Sequence, residues 1–358
     1  MQEEPTLSEQ HTTKMMDALV WTGPHDMVLR GEPVPDLAPG EVLLEVGAVG
    51  ICGSELSGYQ GHNSLRRPPL IMGHEAAGRV ATTTDAPFAD GRIHPVGTPV
   101  TFNPLVSCGQ CDRCTAGYAN LCRARQLLGA HRPGAFARYV AVPVQQCWPM
   151  PPDLPMTTAS LTEPLACAVH AIALSRIGAG QRLLILGAGS IGLCCLAAAR
   201  AHGIQDITIS DVDAHRLAVA QQWGAQATVN AREQDVDAVI QQIHPGGVDA
   251  MIDAVGVTPV RTQAINAVVP GGTVVLVGLH DEASLLPANY LVRQEVTLVG
   301  SFAYTPDDFK RALDLLIQGR VQPTADWLHE RPLREGPAAF AELVNGRAGT
   351  TKIVLRVP

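Results

Sequence analysis

The sequence contains no run of about 18 apolar residues, so no stretch of it is long enough to cross a bilayer as a helix. Met1 to Lys14 are polar and carry Glu3, Glu4 and Glu9. They lack the apolar centre of a secretory signal, so residues 1-14 read as a disordered leader and the protein as cytoplasmic. Positive charge is also short: the formal net charge is −8 with 12 histidines counted neutral. A nucleic-acid partner is therefore not expected, because affinity for a phosphate backbone needs a basic face. Internal repeats, low-complexity tracts and long charge runs are missing too. Cysteine is not scarce, at nine residues, but an odd count with no export signal argues against a disulfide framework.

A chain of 358 residues, 46% hydrophobic and 17% charged, with 34 glycines and 27 prolines, suggests two domains with large cores and many turns. Four of the cysteines, Cys108, Cys111, Cys114 and Cys122, fall within fifteen residues at C-x2-C-x2-C-x7-C spacing. Paired disulfides or free thiols are the alternatives. With too little apolar side chain nearby for a core, the spacing suits four thiolates closing a tetrahedron around a structural zinc. This lobe spans about 105-125.

The two ends of the chain follow different patterns. From Met16 to about residue 150, short strands such as Glu41–Val46 and 136–142 are broken by Pro33, Pro35, Pro39 and Gly40, as in an irregular β-barrel. Near residue 160 the pattern changes to apolar strands alternating with helices: 182–186, 207–210, 228–229, 249–252, 273–277 and 296–299, with helices over 193–202 and 214–223. That alternation describes a doubly wound parallel sheet. Beyond Gly300, Thr305-Pro306-Asp-Asp opens a helix running to Gly319. A last helix over 338–344 and a strand over 352–355 are expected to return to the first domain.

Gly187-Ala-Gly189-Ser190-Ile191-Gly192 follows the 182–186 strand directly and opens a helix, which is the context a dinucleotide fingerprint requires. Gly187 allows the tight turn, Gly189 the approach of a pyrophosphate, and Gly192 close packing of helix on strand. Asp211 ends the second strand, where it can accept both adenosine-ribose hydroxyls and repel a 2′-phosphate. NAD is therefore favoured over NADP, although Arg216 can reach a phosphate. A Rossmann-like domain for another nucleotide is the alternative.

Cys52 and His74 stand at the ends of apolar stretches, where strands give way to loops, and Glu163 falls at the junction of the two domains. A thiolate, an imidazole and a carboxylate from three loops can hold zinc and leave a position open; each taken alone is as readily structural. Together, Cys52-Gly-Ser54, Gly73-His74-Glu75, the four-cysteine lobe, Glu163-Pro164-Leu165 with Val169-His170-Ala171, and the glycine loop resemble the zinc-dependent medium-chain dehydrogenases over about residues 16 to 358. The resemblance implies an α/β chain. Its GroES-like β-barrel catalytic domain would span 15-160 and 301-358, and its Rossmann NAD-binding domain 161-300. It implies a catalytic zinc on Cys52, His74 and Glu163 or Glu75, a structural zinc on the lobe, and a proton relay starting at Ser54. Glu-Pro-Leu resembles the polyol branch (sorbitol, galactitol-phosphate and butanediol dehydrogenases), with threonine and simple alcohol dehydrogenases as alternatives. A silent zinc- and nucleotide-binding regulator is the alternative of another class.

Three positions depart from the family pattern. Glu55 replaces an aspartate, Ser57 stands where many relatives have histidine, and Arg138 stands where many have glutamate. Substrate contacts are sought among Tyr59, His62, Arg66, Arg67, His131, Arg132, Phe302 and Tyr304, each of which is as readily a packing or surface residue. The resemblance further implies a homodimer or homotetramer, with the 296–302 segment pairing across a two-fold axis.

Overall fold

The computed structural model describes residues 14–346 and 351–358, so the expected leader lies outside the described residues up to position 13. Six parallel strands form one sheet in the order Ala227–Asn230, Asp206–Asp211, Arg182–Leu186, Val248–Asp253, Val268–Leu276 and Thr297–Gly300. Successive side chains of a strand point to opposite faces. Accordingly, Leu183 and Ile185 enter one buried cluster with Leu165, Leu193 and Phe309, while Leu184 and Leu186 enter another with Met251, Ile265 and Val274. A continuous apolar strand is what a sheet covered by helices on both faces requires. Chain order reverses between Arg182–Leu186 and Val248–Asp253, which opens a crevice at their carboxyl ends.

The fifth strand starts earlier than the sequence pattern predicts, at Val268. Its ladder passes through Pro270-Gly271-Gly272 beside a register shift at Val248/Ala250 instead of stopping there. The helix after the glycine loop also starts early, at Ser190, because extended Gly189 is its N-cap.

The second core belongs to a mostly antiparallel barrel. Glu41–Gly50 is its centre, burying Val42, Leu44 and Val46 alternately. It pairs with Glu75–Val80 and Tyr139–Pro143, and with Lys352–Arg356 from beyond the parallel sheet. The returning strand thus closes on the first domain as expected, packing Ile353 and Leu355 among Leu44, Phe102, Phe136 and Phe340. The dinucleotide-type sheet is inserted between two parts of this barrel. Among the described residues, no helix is long and apolar enough to cross a membrane.

Candidate functional site

Strand Glu41–Gly50 delivers Cys52 to the N-cap of helix Gly53–Tyr59, and the neighbouring strand begins at Glu75, so Gly50 and Glu75 are directly paired. Gly73 turns at φ 101°, and a Cβ on it would stand 2.6 Å from the Phe136 amide nitrogen, so only glycine brings His74 in at this point. The result is a compact donor group: one ligand atom from each of Cys52, His74 and Glu75 lies within 4.8 Å of the others.

Glu55 holds this group together. Its carboxylate accepts from Cys52 N at 3.1 Å and Gly73 N at 2.8 Å, and it meets His74 Nδ1 at 2.7 Å. With Nδ1 committed to Glu55, Nε2 is left to offer its lone pair to a metal, the arrangement found behind metal-bound histidines. Burial pulls the His74 pKa down, but Glu55 and Cys52 outweigh it and the net direction is well above the ordinary value. The glutamate at 55 therefore performs the supporting task in place of the usual aspartate.

Glu75 is also held from the far side. Lys352, 1% exposed, donates to the Glu75 carboxylate and to Ile51 O. Gly50 makes room for the pair: a Cβ there would meet Glu75 Oε2 at 2.2 Å and Lys352 Cε at 3.2 Å. No motif marked Lys352.

Glu163, expected on a loop, occupies the first turn of helix Thr162–Ser175, where Pro164 is tolerated. It stands outside the compact group, with Oε1 accepting from Tyr304 Oη at 3.0 Å. Burial, reinforced by the charge of Glu75, raises its pKa to about 7 against His74, Tyr304 and Lys352, so it is close enough to share their field.

The glycine loop lies at the sheet's crevice. Gly187 has φ 97°, and a Cβ on Gly192 would stand 1.7 Å from Gly187 O, so helix and strand touch there. Gly189 faces open space, and the helix it starts has no side-chain cap, leaving its first N–H groups available to an anion. Asp211 accepts from Ala188 N at 2.6 Å and Asp213 N at 2.9 Å, with Arg216 Nη1 4.0 Å away. Ser190 Oγ donates to Thr351 O at 3.3 Å, so Thr351 and Lys352 tie this loop to the donor group.

In the lobe, ligand atoms of Cys108, Cys111, Cys114 and Cys122 all lie within 4.8 Å of one another. Zn–S bonds of about 2.3 Å imply tetrahedron edges of about 3.8 Å. Cys111 Sγ lies 3.6 Å from Cys114 Sγ and 3.9 Å from Cys122 Sγ, so the donor set fits zinc. Backbone N–H groups of Arg123 and Cys114 lower the Cys111 pKa to about 6, while burial and neighbouring thiols raise that of Cys114 to about 11. None of the nine cysteines is in a disulfide.

Most of the residues considered as substrate contacts are engaged elsewhere. Tyr59 Oη donates to His25 O at 3.0 Å, Arg132 pairs with Glu41, and His131 Nδ1 accepts from Leu127 N at 3.0 Å. Arg66 is buried against Ser54 and Gly129, and Tyr304 is buried on Glu163. Phe302 lies under Arg125, 4.7 Å from the ring centroid. His62 and Arg67 remain exposed.

Residues 38–152 match the alcohol dehydrogenase GroES-like domain family, and residues 190–318 match the zinc-binding dehydrogenase family. The chain is 31% identical to a probable D-xylulose reductase A of Aspergillus clavatus, over 97% of this chain and 99% of that one. It is 33% identical to an L-idonate 5-dehydrogenase of Vitis vinifera over 80% of each. It superposes on a zinc-binding dehydrogenase of Sinorhizobium meliloti 1021 bound to NADP with a TM-score of 0.87 and 32% identity, covering 96% of this chain and 99% of that one. The chain therefore belongs to the zinc-dependent medium-chain dehydrogenases, in their polyol dehydrogenase branch.

Proposed function

We propose that this oxidoreductase oxidises a polyol or other secondary alcohol with NAD, holding a catalytic zinc through Cys52, His74 and one of Glu75 and Glu163, and a structural zinc through the lobe. The observation that carries this reading is the Cys52–His74–Glu75 group, with Ser54 two residues from its thiolate and with the glycine loop joined to it through Thr351 and Lys352. Bound at these places, the metal supplies a Lewis acid for the substrate oxygen and the dinucleotide an acceptor for hydride. The chain supplies the rest. Glu55 orients His74, and Lys352 offsets the charge of Glu75, so that thiolate and two carboxylates can share a small volume. Ser54 Oγ takes the alcohol's proton. Asp211 receives the adenosine ribose and disfavours a 2′-phosphate, with Arg216 its counterweight. Arg66 and Arg132 are engaged internally and are not free for a substrate phosphate.

Among the described residues the outer edge of Thr297–Gly300 is unpaired, and Leu279, Leu285 and Val292 are 88%, 87% and 76% exposed. An open edge beside apolar surface supports assembly of two copies. Unpaired thiols fit a reducing compartment, hence the cytoplasm.

The test is NADH and NADPH formation with xylitol, sorbitol, idonate and 2,3-butanediol against threonine and ethanol, together with zinc analysis. Two zincs per chain and oxidation of a polyol with NAD are expected. NAD binding without turnover of any alcohol would instead indicate the silent regulator.

A further inference from the structure

Arg66 is a buried cation given no role above, although its charge helps to lower the pKa of Glu55. It is 4% exposed and makes no ion pair among the described residues. A buried charge is costly unless its hydrogen bonds are satisfied. Here Nε donates to Gly129 O at 3.1 Å, Nη1 to Ser54 O at 3.0 Å and Nη2 to Ser54 Oγ at 3.3 Å. The neighbouring helix leaves space for it: a Cβ on Gly58 would stand 2.7 Å from Arg66 Cδ. Two of its three acceptors are on one serine.

Ser54 Oγ has one proton to give and two lone pairs. Its proton is directed at Cys52 Sγ, 3.5 Å away, a long contact that a rotating hydroxyl can leave. Arg66 takes one lone pair, so one remains for a substrate hydroxyl. A guanidinium donates only and keeps its proton in proteins, so it does not carry protons onward. It does fix the direction of the free lone pair, and its charge favours the oxygen while that oxygen gives a proton away. Ser57 supplies no imidazole to continue a relay, which leaves this contact as the charged support on Ser54.

We infer that Arg66 is a positioning residue that holds the Ser54 hydroxyl in register for proton transfer from the alcohol; this rests on the dehydrogenase reading above. The alcohol O–H bond breaks as a new Ser54 O–H bond forms, and Ser54's former proton passes to water. Hydride leaves the carbinol carbon for NAD, so the alcohol is oxidised to a carbonyl by two electrons and NAD is reduced.

The test is a double-mutant cycle on the zinc-loaded enzyme with Arg66→Met, Arg66→Lys, Ser54→Ala and the combined variants, reading kcat, KM for NAD and the solvent isotope effect. Arg66→Met is expected to lower kcat by about 10- to 100-fold, the worth of a charge-assisted hydrogen bond. KM for NAD stays unchanged and the isotope effect rises. Arg66→Lys recovers part of the loss, and Arg66→Met does nothing further once Ser54 is alanine. Additive losses in the double variant, or a normal kcat and isotope effect in Arg66→Met, would overturn the proposal. If Arg66→Met does not fold, Arg66→Lys with and without Ser54→Ala is read by the same rule. A crystal structure of the zinc-loaded wild type reads the contact without turnover, and Arg66 swung away from Ser54 also overturns the proposal. A wild type that holds the contact but oxidises no alcohol overturns the dehydrogenase reading, and this proposal with it.

Discussion

Lys352 shows what a single residue contributes that no local motif announces. Its ammonium is enclosed with the Glu75 carboxylate, and burial, which alone would lower its pKa, is outweighed by Glu75 and Cys52, so the group stays charged. Removing one partner of a buried pair strands the other charge, at about 3–5 kcal/mol. Lys352→Met is therefore expected to lose about that much stability in urea denaturation, whereas Glu75→Gln with Lys352→Met loses less than the two single changes combined. The lysine was not legible in the sequence because 277 positions separate it from Glu75 and it stands at the start of an ordinary strand. Arg66 and Arg67 are alike in the sequence, and only folding separates them: Arg66 is buried and Arg67 exposed. Glu55, by contrast, is local to Cys52: it is the third residue of the helix that Cys52 caps, so its carboxylate reaches back to the Cys52 N–H, and folding adds His74.

At the scale of elements, the readable parts were those whose chemistry is local. The glycine loop requires three glycines within six residues of chain, and the contact between Gly192 and Gly187 O follows from the turn alone. The lobe is similar. With two short strands, one short helix and a 3-10 turn, it has little besides its four sulfurs to hold it. Its neighbours are less local: Asn120 Nδ2 donates to Phe302 O at 2.8 Å, joining the lobe to the segment after the edge strand. Cys122→Ser, at the lobe's one buried sulfur, is expected to leave about one zinc per chain instead of two, by elemental analysis. The same variant should lower the melting temperature while polyol oxidation persists below that temperature. Loss of both metals together would show that the lobe and the cleft do not bind independently.

At the scale of the whole molecule, His170 and Asp308 join helix Thr162–Ser175 to helix Pro306–Ile317, on either side of the insertion. His170 Nδ1 meets Asp308 Oδ2 at 2.8 Å, and the same oxygen accepts from Thr305 N and Thr305 Oγ1. Burial alone would raise the Asp308 pKa, but the bonds from His170 and Thr305 outweigh it and lower it. A carboxylate whose folded pKa is depressed adds stability above its unfolded value, and that stability is lost as pH falls through the folded one. Asp308→Asn is thus expected to cost about 1–3 kcal/mol at pH 7, and the difference from wild type should shrink below about pH 4, as read by denaturation across pH. The insertion also sets an order of events during synthesis. On the ribosome, Cys52, His74 and Glu75 emerge long before the strand bearing Lys352, and the entire nucleotide-type sheet is translated in between. A nascent chain must therefore carry the thiol, imidazole and carboxylate of its future cleft without their lysine until the barrel closes.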